Sequence, residues 1–131
     1  MELDCEVEEK DILARKINKE ELIVYLKEKQ FLIEEERLLG VYMQMTSIQM
    51  LFESEKLVLV KTLNDEGIYL GCFNRKDQEI KVAIPLSCLS LLGHHIVYDV
   101  LRKEELGMIE STLMLSIPAQ GIRHVRFIDM M

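Results

Sequence analysis

The histidines of this sequence are its most obvious metal-binding candidates. His94 and His95 are adjacent, and adjacent residues of a strand point to opposite faces, so the pair could hold one ion only with further ligands. We interpret both as exposed or packed histidines and predict no metal site. His124 alternates with Val125 and shares a strand face with Arg126, so it is predicted to lie on the solvated face of the last strand.

The three cysteines could act as nucleophiles if their surroundings lowered the thiol pKa. Cys5, Cys72 and Cys88 have no metal-type spacing and no paired histidine. Cys72 precedes Phe73 in an apolar segment, so we expect a small core residue. Their odd number favours a reducing compartment, and the expected location is the cytoplasm.

Asp99 is the carboxylate of greatest interest, because it lies between Tyr98 and Val100 at the end of a predicted strand. We interpret it as a turn or backbone-capping residue. Glycoside hydrolysis requires two carboxylates, and no second one stands at a recognisable spacing. The six glycines are scattered singly, so no phosphate-binding loop is present. The sequence therefore predicts no catalytic residue, no cofactor and no enzyme activity of its own.

Composition narrows the classes of partner. The 131 residues are expected to form one domain, and 23 acidic against 16 basic side chains give a formal charge of −7. This charge opposes binding to nucleic acid and to anionic membranes. The apolar runs are shorter than the roughly 20 residues that span a bilayer, and the acidic start does not resemble a signal peptide.

The sequence divides into three predicted segments. Residues 1–17 form a charged arm, interpreted as frayed or as a short helix. Residues 18–39 form an amphipathic helix, with Asn18 and Glu21 as its capping pair and Gly40 as its stop. We expect this helix to pack on a sheet, with partner binding as the alternative. Its apolar face consists of Leu22, Ile23, Leu26 and Ile33.

Residues 40–131 are predicted to be a β-sandwich, because the hydrophobic period changes there from about 3.6 to 2. Six to eight short strands at this spacing indicate a mostly β, Greek-key antiparallel sandwich. A first hairpin would pair residues 41–45 with 48–52, and a second would join 56–63 to 68–74 through a four-residue loop. Later strands are expected at 79–84, 95–101, 113–117 and 122–128, with a charged loop at 102–107. The residues predicted to face inward are Val82, Leu113, Leu115, Val125 and Phe127.

Several short motifs between residues 56 and 127 carry a family resemblance. They are LNDEG at 63–67, YLGCFNR at 69–75, YDVL at 98–101, ELG at 105–107 and IPAQG at 117–121. In this order they resemble the C-terminal β-sandwich domain of α-galactosidase (melibiase) type glycoside hydrolases. The C-terminal domain of α-amylase-clan (neopullulanase-like) enzymes is similar to a lesser degree, and would explain the helix that runs into Gly40.

The resemblance implies a non-catalytic role. In both families the catalytic carboxylates lie on an upstream (β/α)8 barrel, which typically needs about 250 residues, so none is carried over to this chain. The expected role is an accessory domain that packs against and stabilises the barrel of a parent or partner glycosidase. A carbohydrate-binding or protein-interaction module is the alternative, although the sequence has no Trp. A second copy of the chain is a further candidate partner.

Overall fold

The computed structural model describes residues 2–28 and 40–129. Within these residues the chain forms ten strands, one α-helix and two short 3-10 helices, and residues 40–43 are also helical. The strands are β1 (Cys5–Glu6), β2 (Arg15–Lys16), β3 (Ser47–Glu53), β4 (Leu57–Asn64), β5 (Gly67–Asn74), β6 (Ile80–Pro85), β7 (His95–Asp99), β8 (Glu104–Ile109), β9 (Thr112–Ile117) and β10 (Ile122–Asp129). The helix α1 is Lys19–Glu28, and the 3-10 helices are Glu9–Asp11 and Leu86–Leu89.

The strands form two sheets that pack face to face. A seven-stranded sheet has the order β2-β3-β4-β5-β10-β7-β8, and a three-stranded sheet has the order β1-β6-β9. Every pairing is antiparallel except that of β1 with β6. The predicted antiparallel β-sandwich is confirmed. Eight strands have five or more residues, and the two additional ones are two-residue strands of the N-terminal arm.

The inner core lies between the two sheets. It follows from period-2 alternation, since Leu57 and Leu59 of β4 point into it while Val58 and Val60 point to the opposite face. The residues predicted to face inward are confirmed as members of this core: Val82, Leu113, Leu115, Val125 and Phe127.

A second apolar core covers the outer face of the seven-stranded sheet. We call α1 together with residues 40–45 the helical layer. Its Leu22, Leu26, Tyr42 and Met45 are buried with sheet residues in this core. The middle of the seven-stranded sheet is therefore buried on both faces, which explains the continuous apolar run in β4. The sheet residues of the outer core are Ile48, Met50, Val58, Val60, Tyr69 and Phe73.

Helix α1 begins as predicted. The side-chain oxygen of Asn18 accepts a hydrogen bond from the Glu21 amide at 2.8 Å, which satisfies one of the free N–H groups of the first turn. Leu22 and Leu26 are buried against the sheet and Ile23 is half-buried, so the expected packing role is confirmed for the described part. Ile33 and the predicted end of the helix lie outside the described residues.

The predicted first hairpin is wrong in its first half. Residues 40–43 are helical, and the Met45 amide donates to the Tyr42 carbonyl at 3.1 Å. Gly40 therefore lies within a helical segment instead of stopping one. Tyr42 and Met45 share a face through the three-residue spacing of a helical turn, which the apparent alternation of residues 41, 43 and 45 concealed. Residues 48–52 do form a strand, β3, which pairs with β4.

The N-terminal arm is ordered into both sheets, so the expectation of a frayed arm is wrong, and the alternative of a short helix holds only for the 3-10 helix Glu9–Asp11. Strand β1 pairs in parallel with β6, and β2 pairs with β3. Between them Val7 is buried in the inner core, and Ile12 packs against it. Val7 and Ile12 therefore hold the arm against the inner core, while its charged side chains remain in solvent.

Two loops differ from their predicted extents. The β4–β5 hairpin is confirmed, but Asn64 pairs with Gly67, so its loop has two residues instead of four. Residues 102–107 were expected to form a loop, yet β8 (Glu104–Ile109) pairs with β7 at the edge of the sheet. Charged side chains are common on edge strands because they discourage pairing with other chains. No helix among the residues described is long and apolar enough to cross a membrane.

Candidate functional site

The adjacent histidines have separate environments. His94 is exposed, and its Nε2 lies 2.8 Å from a carboxylate oxygen of Glu110. His95 is buried and packs edge-on against Phe127, with ring centroids 6.4 Å apart. Across residues 2–28 and 40–129, no three His, Cys, Asp or Glu side chains are grouped in a way that could hold a metal ion.

The cysteine thiols are poor candidates for nucleophiles. All three are free, and Cys72 lies fully buried in the inner core, as predicted. Burial raises the pKa of the Cys72 thiol, and it also raises the pKa of Cys5 and of Cys88. Since the reactive species is the thiolate, burial keeps these thiols in their unreactive form.

Asp99 is a buried carboxylate whose oxygens are both engaged. One oxygen accepts the Arg102 backbone N–H at 2.9 Å, which confirms the predicted turn interaction. The other oxygen accepts Nη1 of Arg123, also at 2.9 Å, in an ion pair that was not predicted. Arg123 lies 24 residues away, on the neighbouring strand β10. The sequence did contain a signal for this ion pair. Arg123 lies two residues before the inward-facing Val125, and a charge at such a position needs a partner.

The Arg123 side chain of this ion pair also joins the two sheets. Arg123 Nε donates to the carbonyl of Ser116 in β9 at 3.0 Å, while Asp99 belongs to β7. Only 1% of the Asp99 side chain is exposed, so a substrate cannot reach this carboxylate. The arrangement stabilises the fold and does not supply an acid or a nucleophile.

Asn74 forms a second connection between the sheets, which we call the Asn74 junction. Its side-chain nitrogen lies 2.8 Å from the carbonyl of Gln78, 3.1 Å from that of Ile117 and 3.0 Å from that of Pro118. Its side-chain oxygen accepts the Lys76 amide at 2.8 Å. The end of β5 is thereby tied to the end of β9 in the other sheet.

Other residues of the family-like motifs meet beside this junction. The Asn74 amide donates to the Gly121 carbonyl at 3.0 Å, and the Arg75 side chain donates to the Ser54 carbonyl at 2.6 Å. Gly121 has no room for a side chain, because an added Cβ would lie 2.7 Å from the Pro118 ring. The motifs at 69–75 and 117–121 thus maintain the architecture of this end of the sandwich.

His124 is fully buried, so its predicted position on a solvated face is wrong. The helical layer covers that face, and Tyr42 approaches the ring edge-on with centroids 5.4 Å apart. Tyr69 of β5 stacks against it with centroids 5.7 Å apart. Among described residues, neither ring nitrogen has a hydrogen-bond partner, and neither does the Tyr42 hydroxyl. Burial lowers the pKa of His124 to about 4, so the imidazole is neutral at pH 7.

Gly71 provides the space that Tyr42 and His124 need, and its substitution tests this packing directly. A Cβ at Gly71 would lie 2.7 Å from the Tyr42 hydroxyl and 3.3 Å from Nδ1 of His124. Gly71→Ala should lower the free energy of unfolding by about 1–3 kcal/mol in urea melts, because of overpacking. Gly40→Ala is the control, since no described atom lies within 4 Å of a Cβ at this position, and the variant should be neutral or slightly stabilising. Equal stability of the two variants would contradict this packing.

An open groove of about 460 Å³ lies beside α1. It is lined partly by Arg15, Glu21, Val24 and Tyr25. The Tyr25 hydroxyl donates a hydrogen bond to the carboxylate of Glu53 at 2.5 Å. Burial and, to a smaller extent, this hydrogen bond raise the pKa of Tyr25. The groove therefore combines one partly exposed aromatic ring with exposed charges of a solvated helix surface.

Comparison with known proteins locates this fold. No protein-family model matches the sequence, and no curated protein matches it significantly. Solved structures do match. A GH27 β-L-arabinopyranosidase from Geobacillus stearothermophilus, in complex with arabinose, superposes with a TM-score of 0.65 at 18% identity, over 73% of this chain and 22% of its own.

Two further structures extend the comparison. An inferred α-N-acetylgalactosaminidase from Bacillus halodurans gives a TM-score of 0.65 at 13% identity, over 73% of this chain and 23% of its own. α-Galactosidase I from Mortierella vinacea gives 0.54 at 18% identity, over 60% of this chain and 22% of its own. The chain has the fold of a glycosidase domain. The predicted resemblance to α-galactosidase-type enzymes is confirmed at the level of the fold, and the chain spans about a fifth of their length.

Proposed function

We propose that this glycosidase-type domain is a non-catalytic accessory unit that packs against the catalytic barrel of a parent or partner glycoside hydrolase. The observation that carries the proposal is the share of each chain that the superposition covers. About three quarters of this chain corresponds to only 22% of the arabinopyranosidase, so the enzyme has most of its mass elsewhere. A (β/α)8 barrel of typical size, about 250 residues, requires a chain much longer than this one.

The buried polar residues support a structural role. Asp99, Arg123 and Asn74 are engaged in bonds that join strands or sheets. Glycoside hydrolysis needs two carboxyl groups that can reach the same glycosidic bond, one of them able to donate a proton. Asp99 is enclosed and bound to a guanidinium, so it meets neither requirement.

The described surface restricts where a barrel could bind. The middle of the seven-stranded sheet is covered on one face by the three-stranded sheet and on the other by the helical layer. A barrel would therefore contact the outside of the helical layer, the outer face of the three-stranded sheet, or the exposed edge at β8 and β9. Exposed apolar side chains occur at that edge, with Met108 58% and Met114 54% exposed.

We expect the isolated chain to fold and to hydrolyse no glycoside. Its two apolar cores are completed by its own residues, and Asp99, the buried carboxylate among the described residues, is bound to a guanidinium. The measurement is release of nitrophenol from three nitrophenyl substrates, the α-galactoside, the β-L-arabinopyranoside and the α-N-acetylgalactosaminide. Circular dichroism verifies that the chain is folded. Intact arabinopyranosidase is the positive control.

Hydrolysis by the chain itself would contradict the proposal. The activity would have to follow the protein through purification and be lost on substitution of one of its carboxylates. Glu21→Gln is the most informative substitution, because Glu21 lines the groove beside α1. A contaminating glycosidase would be unaffected by it.

A further inference from the structure

His124 lies where the helical layer meets the seven-stranded sheet. Tyr42 contacts its ring from the layer and Tyr69 contacts it from the sheet. The backbone of His124 is fixed, because its carbonyl accepts the Val100 amide at 2.8 Å and β10 is hydrogen-bonded between β5 and β7. The imidazole is thus held by the sheet and covered by the layer.

The groups around this imidazole are poorly arranged to stabilise a positive charge. From the layer, α1 presents Leu22 and Leu26 to the outer core, and residues 40–45 include no charged residue. From the sheet, β5 presents the neutral Tyr69. The two arginines next to it in β10 are engaged elsewhere, Arg123 with Asp99 and the Ser116 carbonyl and Arg126 with the Glu66 carbonyl.

Two described carboxylates on the sheet side of His124 are already engaged. Asp99 of β7 is paired with Arg123, and its influence on the pKa of His124 is smaller than that of burial. Glu66, in the β4–β5 loop, accepts the Tyr69 hydroxyl at 3.3 Å. Neither carboxylate is hydrogen-bonded to the His124 ring, so among the described residues a charge on this ring would remain buried without a paired counter-ion.

We propose that His124 is an acid-sensitive latch, and that protonation of its buried ring releases the helical layer from the seven-stranded sheet. The layer is the part that moves, since it packs on the sheet through side chains while β10 is bonded on both sides within the sheet. Release exposes an apolar surface that includes Val58, Val60 and Tyr69. This inference does not depend on the proposed accessory role.

The direction of the pH dependence follows from the two protonation states. In the closed domain the pKa of His124 is about 4, whereas an opened, hydrated histidine would have a pKa of about 6.5. The opened state therefore binds more protons between these values, and closure weakens as the pH falls from about 6.5 to about 4. Above about 6.5 the latch is fully closed.

Hydrogen exchange of the complete chain tests the latch. After correction for intrinsic exchange rates, the opening constant of α1 and residues 40–45 should rise roughly 40-fold between pH 6.5 and pH 4.5, while the amides of β5 and β10 stay protected. His124→Phe keeps an aromatic ring in place and should abolish the rise. His94→Gln removes an exposed histidine and should leave it unchanged. If His124→Phe does not fold, His124→Gln takes its place.

Three results would overturn the proposal. The first is unchanged protection of the helical layer in the wild-type chain at pH 4.5. The second is an equal rise in the wild-type chain and in a folded His124 variant. The third is a simultaneous loss of protection in β5 and β10, which would mean that the whole domain unfolds instead of releasing one layer.

Discussion

Replacing Arg123 with alanine should lower the free energy of unfolding by about 3–5 kcal/mol at pH 7. Among the described partners, the variant leaves the buried Asp99 carboxylate with the Arg102 amide alone to stabilise its charge. It also removes the bond from Arg123 to the Ser116 carbonyl, and with it a connection between the sheets. Urea melts followed by circular dichroism measure the loss.

Two controls separate the ion pair from other effects. Arg102→Ala removes an exposed arginine side chain but keeps the backbone N–H that bonds Asp99, so its effect should be within about 0.5 kcal/mol. The double variant Arg123→Leu with Asp99→Leu should recover much of the loss, because it removes the unpaired charge. A loss of less than about 1 kcal/mol for Arg123→Ala would show that Asp99 is hydrated.

Phe127→Ala should have an effect of similar size, about 3–5 kcal/mol, for a different reason. Phe127 is 5% exposed in the inner core, and truncation would leave a cavity between the two sheets and remove the contact with His95. The same urea melts apply. Met108→Ala is the control on β8, since Met108 is 58% exposed and its loss should cost little. Comparable effects of the two substitutions would contradict the assignment of the inner face.

Alternation along single strands was enough to predict the inner core. In β9, Leu113, Leu115 and Ile117 are buried while Met114 between them is exposed, because only one face of this strand meets another sheet. The same rule failed for His124, since its face is covered by Tyr42, which lies about 80 residues earlier in the chain. Periodicity shows which residues share a face of a strand, but it does not reveal which distant element covers the outer face.

The contacts of the buried polar residues were only partly predictable, because some of their partners are distant in the sequence. The turn role of Asp99 was visible because its partner, Arg102, is three residues away. The ion pair with Arg123 depends on β10 being inserted between β5 and β7, and no local pattern specifies that strand order. Similarly, Asn74 belonged to a recognised motif, but its contacts with residues 117 and 118 become apparent only when the two sheets are assembled.

The motifs that carry the resemblance include positions that the fold of this chain constrains strongly. Asn74 must reach carbonyls of another sheet, and Gly121 must accommodate the ring of Pro118. Such constraints arise from the architecture and not from an activity. They therefore predict the fold well and leave function to be tested on the native protein.

The most direct test of the accessory role is the composition of the native assembly. Antibodies against this chain would isolate the protein from its source cells under non-denaturing conditions, and native mass spectrometry with peptide sequencing would identify every polypeptide present. We expect the chain to be found with a (β/α)8 glycoside hydrolase barrel, covalently continuous with it or in a stoichiometric complex. A native species consisting of this 15.3 kDa chain alone, or stoichiometrically bound to a protein without such a barrel, would contradict the account.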